Sequence, residues 1–203
     1  NGWSMDHQGL PPMDIYMMCE PEPAVKLLVE RVKPRKAVAH SRLPFPAVPD
    51  LIQGAPLTVP MLSKALKAAV KGLTVSLIRA PLSWSGEMWD IEHPLDYLGY
   101  EGGGGVGAGP GVSIGAALAL KGTDRLPVAV MGDGDYMMGV NALWTASNAQ
   151  IPLLIIVVNN RSFFNDEVHQ ERVARQRGRP VENKWIGQRI SNTAPDLAMM
   201  ARG

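Results

Sequence analysis

The chain has 203 residues, of which 46% are apolar and 19% charged, and its 20 basic residues nearly balance 19 acidic ones. This composition is typical of a soluble globular protein and excludes a disordered chain. The net charge of +1 gives no basis for binding a polyanion through bulk charge. A single cysteine, Cys19, excludes a disulfide framework and a cysteine-based zinc site, and it fits a reducing compartment such as the cytoplasm.

The two ends of the chain suggest a fragment. The first residues contain no initiator methionine and no signal-peptide pattern, and residues 197–203 stop within a helical pattern. The longest apolar run, residues 153–158, is far shorter than the ~20 residues of a membrane-spanning helix. We therefore expect a piece of a longer protein that has no membrane partner.

The first part of the chain predicts two helices joined by a proline-rich segment. Apolar residues at helical spacing predict a helix over 25–32 that ends at Pro34. Five prolines between residues 39 and 60 indicate a linker or an extended crossing. A second amphipathic helix is predicted over 61–71, and residues 73–78 predict a strand.

The rest of the chain alternates helices and strands. A glycine-dense turn at 102–111 precedes a small-residue helix over 112–121 and a strand over 127–131. A helix over 141–150 and a β-branched strand over 153–158 follow. This order predicts an α/β fold, with a parallel sheet covered by helices on both faces.

Polar motifs follow the two strongest predicted strands. Gly132-Asp133-Gly134-Asp135 comes after the first strand, and Asn159-Asn160-Arg161-Ser162 comes after the second. With one helix between them, the strands should be parallel and joined by a right-handed crossover. Asp133 and Asn160 are then expected at the same carboxyl edge of the sheet, where open α/β sheets bind ligands.

The chemistry at this edge is that of oxygen ligands. A carboxylate and a carboxamide suit Mg²⁺ or Ca²⁺, and Gly132 and Gly134 allow backbone N–H groups to approach a phosphate. Either motif alone is explained by a helix cap at Asp133 or by an asparagine turn. Their joint occurrence at two strand ends favours a ligand site.

These motifs carry a resemblance to a known family. Gly132-Asp133-Gly134, a spacer and Asn159-Asn160 resemble the signature of thiamine diphosphate (ThDP)-dependent enzymes. Segment 105–117 resembles the sequence upstream of that signature in the acetolactate synthase, benzoylformate decarboxylase and pyruvate decarboxylase group, and residues 142–152 are especially like benzoylformate decarboxylase. The resemblance implies a three-layer α/β/α diphosphate-binding (PP) domain, incomplete at its C-terminus, over residues 57–203. It also implies the tail of a central domain over 1–38 and a linker over 39–56.

The resemblance also implies a set of site residues. Asp133, the side-chain oxygen of Asn160 and the backbone carbonyl of Ser162 would hold Mg²⁺. Val106 would be the apolar wedge beneath the cofactor, and Asp166 falls where some decarboxylases carry an acidic proton-transfer residue. A first helical turn that favours acidic residues explains Asp166 equally well. The implied cofactor-binding residues are Gly104, Gly105, Val106, Gly132, Gly134, Asp135, Asn160 and Ser162, with the backbone N–H groups of Gly134 and Asp135 donating to the diphosphate.

The activity implied by the resemblance is that of a ThDP- and Mg²⁺-dependent lyase or transferase. It would decarboxylate a small 2-oxo acid, join it to a second carbonyl compound, or do both. A ThDP-dependent C–C hydrolase, a CoA-linked lyase and a non-catalytic diphosphate-binding module remain alternatives. A homodimer or homotetramer is implied, with a pyrimidine-binding (PYR) domain of the same or a neighbouring subunit supplying an activating glutamate. We therefore expect the isolated chain to be inactive.

Two weaker motifs point elsewhere. The spacing of Gly102, Gly104 and Gly107 matches a dinucleotide fingerprint, but the preceding residues do not form a strand pattern, which disfavours a nicotinamide oxidoreductase. Within the charged segment 171–189, the run 177–180 (Arg-Gly-Arg-Pro) resembles a minor-groove hook. A single copy in a neutral chain indicates that the charges of segment 171–189 belong to a solvated loop, so we expect no nucleic-acid partner.

Overall fold

The computed structural model describes residues 14–15, 17–36, 44–48, 53–99 and 105–203. Contacts between residues divide the chain into two units, Asn1–Arg42 and Leu43–Gly203. The described part of the first unit contains the helix α1 (Pro21–Arg31). This helix begins four residues before the predicted start, because prolines are compatible with a first helical turn.

The second unit contains a parallel sheet and six α-helices among its described residues. The strands β1 (Thr74–Arg79), β2 (Arg125–Gly132) and β3 (Leu154–Val158) lie side by side in the order β1–β2–β3. Both strand pairs are parallel. The helices are α2 (Val59–Ala69), α3 (Ala108–Ala119), α4 (Asp133–Gly139), α5 (Ala142–Asn148), α6 (Phe164–Gln176) and α7 (Leu197–Arg202). The predicted α/β class with a parallel sheet is confirmed.

The central strand β2 is buried on both faces. Its residues Val128, Ala129 and Val130 have no exposed surface. Because successive side chains of a strand point to opposite faces, Val128 and Val130 pack in one cluster and Ala129 in another. The first cluster includes Leu66 of α2. On the opposite side, Ile114 of α3 packs with Ile78 of β1, which gives the helix–sheet–helix layering.

In the second unit, two helices begin earlier than predicted and one helix was not predicted. Helix α2 begins two residues early because Thr58 caps it and accepts the N–H of Met61. Helix α3 begins four residues early, directly after Gly107, whose left-handed φ of +98° starts it. The prediction of a single helix between the last two strands is wrong, since α4 and α5 both lie there. Helix α4 escaped prediction because glycine and aspartate at 132–135 favour turns.

Helix α6 corrects a further prediction. The charged segment 171–189 was expected to be a solvated loop, but residues up to Gln176 form the second half of this helix. Two of the cations in the segment are engaged internally, since both Lys184 and Arg175 pair with Glu171. The hydrogen bonds from Lys184 and then Arg175 lower the pKa of Glu171 below its ordinary value. None of the helices among the described residues has the length and hydropathy of a membrane span.

Asp96 ties the segment after β1 to the start of β2. Its carboxylate accepts the backbone N–H groups of Glu92 at 2.9 Å and His93 at 2.7 Å and pairs with the guanidinium of Arg125. Arg125 also donates to the hydroxyl of Ser76 on β1, at 2.7 Å. The N–H groups of Glu92 and His93, followed by Arg125, lower the pKa of Asp96 from 3.8 to about 2.

We expect Asp96→Asn to remove a pH-dependent part of the free energy of unfolding. A carboxyl group whose pKa is lowered by folding stabilises the protein fully above its unfolded pKa, near 4, and this contribution disappears as pH falls to about 2. Denaturant unfolding of wild type and variant should therefore differ most near neutral pH and converge under acid conditions. Asp124→Asn, at an exposed aspartate beside β2, is the control. A difference that is independent of pH would contradict the expectation.

Candidate functional site

Asp133 lies where β2 ends and α4 begins, and only 2% of it is exposed. Its Oδ1 accepts the N–H of Gly134 at 2.9 Å, and its Oδ2 accepts the N–H of Arg161. Arg161 directly follows Asn160, so the loop after β3 meets the loop after β2 at this carboxylate. The structure thus brings together the two motifs that the sequence places at one edge of the sheet.

The loop after β3 is a tight turn around Asn160. The side-chain Oδ1 of Asn160 accepts the N–H of Ser162 at 3.1 Å, and Arg161 between them has a left-handed φ of 59°. This is the turn that asparagine favours through its own side chain. A carboxamide oxygen has two lone pairs, so this bond leaves Oδ1 able to accept a second partner. The turn and a ligand role for Asn160 are therefore compatible.

A second segment of the chain holds this loop in place. The N–H of Phe163 donates to the carbonyl of Gln188 at 2.9 Å, and the N–H of Ile190 donates to the carbonyl of Arg161 at 2.8 Å. The hydroxyl of Ser162 donates to the carboxylate of Glu167 at 2.5 Å. Glu167 is only 7% exposed, so this bond satisfies a buried carboxylate.

The predictions missed Glu167 as a supporting residue of the loop. Its place in the first turn of α6, next to the predicted Asp166, was the available signal. Asp166 itself lies in that first turn, and its N–H donates to the carbonyl of Phe163 at 2.9 Å. This position agrees with the helix-terminus explanation of Asp166.

Gly134 is required by packing against an aromatic ring. A Cβ atom at this position would lie 2.3 Å from Cε1 of Phe163, whereas a Cβ atom on Gly132 would meet nothing within 4 Å. The N–H of Gly134, expected to face a diphosphate, donates to Asp133. This N–H can bind a diphosphate oxygen only if it shares its hydrogen between the two acceptors or gives up its bond to Asp133.

Asp135 places a buried carboxylate at the start of α3. Its Oδ1 accepts the N–H of Gly107 at 2.7 Å and that of Gly109 at 3.2 Å, and its Oδ2 lies 2.7 Å from Nε of Arg79. Only 9% of Asp135 is exposed. The N-cap of α3, Gly107, has no side chain, so the carboxylate of Asp135 takes over the capping. The resemblance implies a role for the backbone of Asp135 only, and the sequence analysis did not predict Arg79 as a site residue.

This capping also bears on the dinucleotide alternative. A dinucleotide fingerprint works by directing the N–H groups of a helix N-terminus at a pyrophosphate. At α3, the N–H groups of Gly107 and Gly109 donate to Asp135 instead. A pyrophosphate would have to displace an internal carboxylate, which further disfavours a nicotinamide site here.

The segment before α3 is described from Gly105 onward, so Gly104 lies outside the described residues. The carbonyl of Gly105 accepts the N–H of Ala108 at 3.2 Å. Val106 is 48% exposed. It stands directly before Gly107, the residue that Asp135 holds. An apolar side chain is therefore presented on a turn that is connected to α4.

The buried carboxylate of Asp133 and the oxygen ligands near it suit a magnesium–diphosphate group. In the described part of the chain, no Lys, Arg or His forms an ion pair with the buried carboxylate of Asp133. A buried charge without a counter-charge is unfavourable, and a divalent cation would neutralise it. The same residues contain no group of three or more His, Cys, Asp or Glu suited to a metal. A metal here would take its remaining ligands from Asn160, the backbone, phosphate and water, as Mg²⁺ commonly does.

A parallel sheet with a Gly-Asp-Gly motif at the end of one strand, in contact with an asparagine loop after the next, is the arrangement expected of a diphosphate-binding domain of the ThDP-dependent type. Residues 81–203 match the family described as thiamine pyrophosphate enzyme, C-terminal TPP binding domain; thiamine pyrophosphate is another name for ThDP. Since this match covers more than half of the chain, the chain belongs to that family.

Similar proteins are found among acetolactate synthases and benzoylformate decarboxylases. The large subunit of acetolactate synthase isozyme 1 from Escherichia coli (strain K12) is 35% identical over 89 residues, covering 44% of this chain and 15% of that protein. Benzoylformate decarboxylase from Pseudomonas aeruginosa is 26% identical over 143 residues, covering 68% of this chain and 26% of that protein. The chain therefore spans about a quarter or less of the length of these curated relatives.

A solved structure supports the fold. The ThDP-dependent 4-hydroxybenzoylformate decarboxylase of Rhodococcus jostii RHA1 aligns with a TM-score of 0.61 at 24% sequence identity. The alignment covers 89% of this chain and 32% of that one. The three-layer PP-domain fold implied by the sequence is thereby confirmed.

Proposed function

We propose that this chain is the diphosphate-binding part of a ThDP- and Mg²⁺-dependent enzyme that decarboxylates a 2-oxo acid and releases or transfers the remaining acyl unit. The observation that carries the proposal is the buried carboxylate of Asp133, which contacts the Asn160 loop and has no cationic side chain as partner among the described residues. The names of the relatives support the substrate class, because benzoylformate is a 2-oxo acid.

The proposed anchoring residues are those that the family resemblance implies, and the contact between Asp133 and the Asn160 loop supports them. Asp133, Oδ1 of Asn160 and the carbonyl of Ser162 would hold the metal. The N–H groups of Gly134 and Asp135 lie in the first turn of α4, where no backbone carbonyl of the helix accepts them. They would donate to the diphosphate, and the N–H of Gly134 would be shared with Asp133.

The protein's contribution to the chemistry is position and environment. When bound, ThDP would supply a nucleophilic carbon and an electron-accepting thiazolium ring for the decarboxylation of a 2-oxo acid. Val106 would provide the apolar surface that orients the cofactor rings. Asp166 is the candidate for moving a proton at the acyl carbon, and Glu167 keeps the Ser162 loop in place through their hydrogen bond.

Turnover would require more than this chain. The relatives are several times longer than the segment that matches it. We propose that a PYR domain, in the same or a neighbouring subunit, supplies an activating glutamate. The active form would then be a homodimer or a homotetramer.

The decisive experiment is calorimetric titration of ThDP into the intact protein, with Mg²⁺ and with a chelator. We expect binding in the presence of Mg²⁺ and a large loss of affinity without it, because the metal would offset the negative charges of Asp133 and of the diphosphate. No binding of ThDP with Mg²⁺ would refute the proposal. Binding without CO₂ release from a panel of 2-oxo acids would favour a non-catalytic module.

We expect Val106→Ala to lower kcat far more than it weakens ThDP binding. The diphosphate anchor lies elsewhere, and removing two methyl groups from a contact costs about 1.5 kcal/mol, which corresponds to about a tenfold loss in rate. Steady-state kinetics together with a ThDP titration separate the two effects. Val112→Ala, at a valine of α3 that is also partly exposed, is the matched control. Unchanged kcat in Val106→Ala would show that Val106 is a packing residue only.

A further inference from the structure

We propose that Asp135 is a positioning residue whose carboxylate locks the turn that carries Val106 to the first turn of α4, which carries Asp133, before any cofactor binds. The link to catalysis rests on the function proposed above, while the lock itself is a property of the chain. Neither the family match nor the names of the relatives assign a role to this side chain.

The lock joins three elements at one carboxylate. Asp135 belongs to α4, its Oδ1 accepts the N–H groups of Gly107 and Gly109 at the start of α3, and its Oδ2 contacts Arg79 at the end of β1. Charge-assisted hydrogen bonds of this kind are stronger than neutral ones. Asp135 is also two residues from Asp133, so the first turn of α4 carries both the proposed metal ligand and the carboxylate that holds the Val106 turn.

Three glycines make this close approach possible. A Cβ atom on Gly109 would lie 2.1 Å from Oδ2 of Asp135 and 3.0 Å from Nε of Arg79. A Cβ atom on Gly139 would lie 2.3 Å from the carbonyl oxygen of Gly107, which itself has a left-handed φ of +98°. The backbones of α3 and α4 therefore meet at a distance that side chains would forbid, as expected of a fixed junction.

The charge of Asp135 argues against a role as diphosphate anchor. A backbone N–H at position 135 would suffice to bind a phosphate, and a second carboxylate near an anionic ligand opposes binding. The guanidinium of Arg79 and two backbone N–H groups offset this negative charge. Two of these contacts are made to the N–H groups of Gly107 and Gly109, next to Val106, which indicates a positioning role.

Removal of the carboxylate should therefore separate cofactor binding from turnover. Asp133, Asn160 and Ser162 remain in place, but the N–H groups of Gly107 and Gly109 lose their acceptor. The turn that presents Val106 then becomes free to move relative to the anchor.

The test compares Asp135→Ala and Asp135→Asn with wild type in the intact protein. For Asp135→Ala we expect a ThDP dissociation constant within about threefold of wild type and a kcat reduced by about tenfold to a hundredfold, which corresponds to about 1.4–2.7 kcal/mol. In the cofactor-free protein, hydrogen–deuterium exchange of the peptide covering 105–110 should be faster in Asp135→Ala than in wild type. The near-UV circular dichroism of bound ThDP should also differ between the two. Asp135→Asn keeps one acceptor oxygen and should partly restore kcat, the exchange rate and the circular dichroism. Asp124→Ala, at an exposed aspartate, should change none of these measurements.

The possible outcomes are distinguishable. If hydrogen–deuterium exchange at 105–110 is the same in Asp135→Ala and wild type, Asp135 does not hold the turn. This conclusion holds whether or not ThDP binds. Equal losses in ThDP affinity and kcat would overturn the positioning role and make Asp135 part of the anchor. If wild type fails to bind ThDP, the proposed function fails, and exchange in the cofactor-free protein still decides whether the lock exists. If Asp135→Ala does not fold, Asp135→Asn serves for the same comparison.

Discussion

Asp133→Ala is expected to weaken Mg²⁺-dependent ThDP binding by at least about a hundredfold. The carboxylate is the charged ligand of the proposed metal, and even residues that merely support metal ligands are worth about tenfold to a hundredfold in affinity. Asn160→Ala should have a smaller effect, since a neutral amide oxygen contributes less than a carboxylate. Titration calorimetry of the intact protein with ThDP and Mg²⁺ measures both losses.

The fold should survive the loss of this charge. Asp133 lies at the end of a strand, and the atoms bonded to its carboxylate are the backbone N–H groups of Gly134 and Arg161. Asp133→Asn keeps the shape and an acceptor oxygen, so it separates loss of charge from loss of structure if the alanine variant unfolds. Asp124→Ala is the exposed control. Wild-type affinity in both Asp133 variants would remove the metal assignment.

Gly109→Ala is expected to cause a large loss of stability. Its Cβ atom would lie 2.1 Å from Oδ2 of Asp135, a carboxylate that Arg79 and two backbone N–H groups hold in place. Overpacking of a fixed site typically costs about 1–3 kcal/mol. For a chain of this size that corresponds to a fall in Tm of about 3–10 °C. Thermal unfolding followed by circular dichroism measures the effect.

The same helix offers matched controls. A Cβ atom on Gly111 or Gly115 of α3 would meet nothing within 4 Å, so alanine at either site should be neutral or stabilising by up to about 1 kcal/mol. The cost of Gly109→Ala should also fall in an Asp135→Ala background, because the clashing oxygen is then absent. A Gly109→Ala variant as stable as Gly115→Ala would contradict the junction between α3 and α4.

Local patterns account for what could be predicted of the sheet edge. The apolar runs around Val128 and Ile155 could be read as buried strands, and the polar residues directly after each run marked the strand ends. Because the helical connection between them predicted parallel strands, Asp133 and Asn160 were expected at the same carboxyl edge. These inferences need only neighbouring residues and one general rule of chain topology.

Residues with ambiguous local preferences were predicted less well. Glycine and aspartate at 132–135 favour turns, yet they form the end of β2 and the first turn of α4. Helix α6 contains many charged residues and buries few of them, so its amphipathic pattern is weak. At 132–135 tertiary contacts outweigh the local propensity.

By itself, the sequence determined the α/β class, the parallel strands and the pairing of an aspartate turn with an asparagine loop. Only the tertiary structure decided that the carboxylate of Asp135 caps α3 and meets Arg79, that Gly134 packs against Phe163, and that Glu167 supports Ser162. The physical reason is that periodicity reports which face of an element is buried, whereas the partner of a buried charge depends on distances of a few ångströms between elements. Those distances are set by how β1, α3 and α4 pack together, which no local pattern encodes.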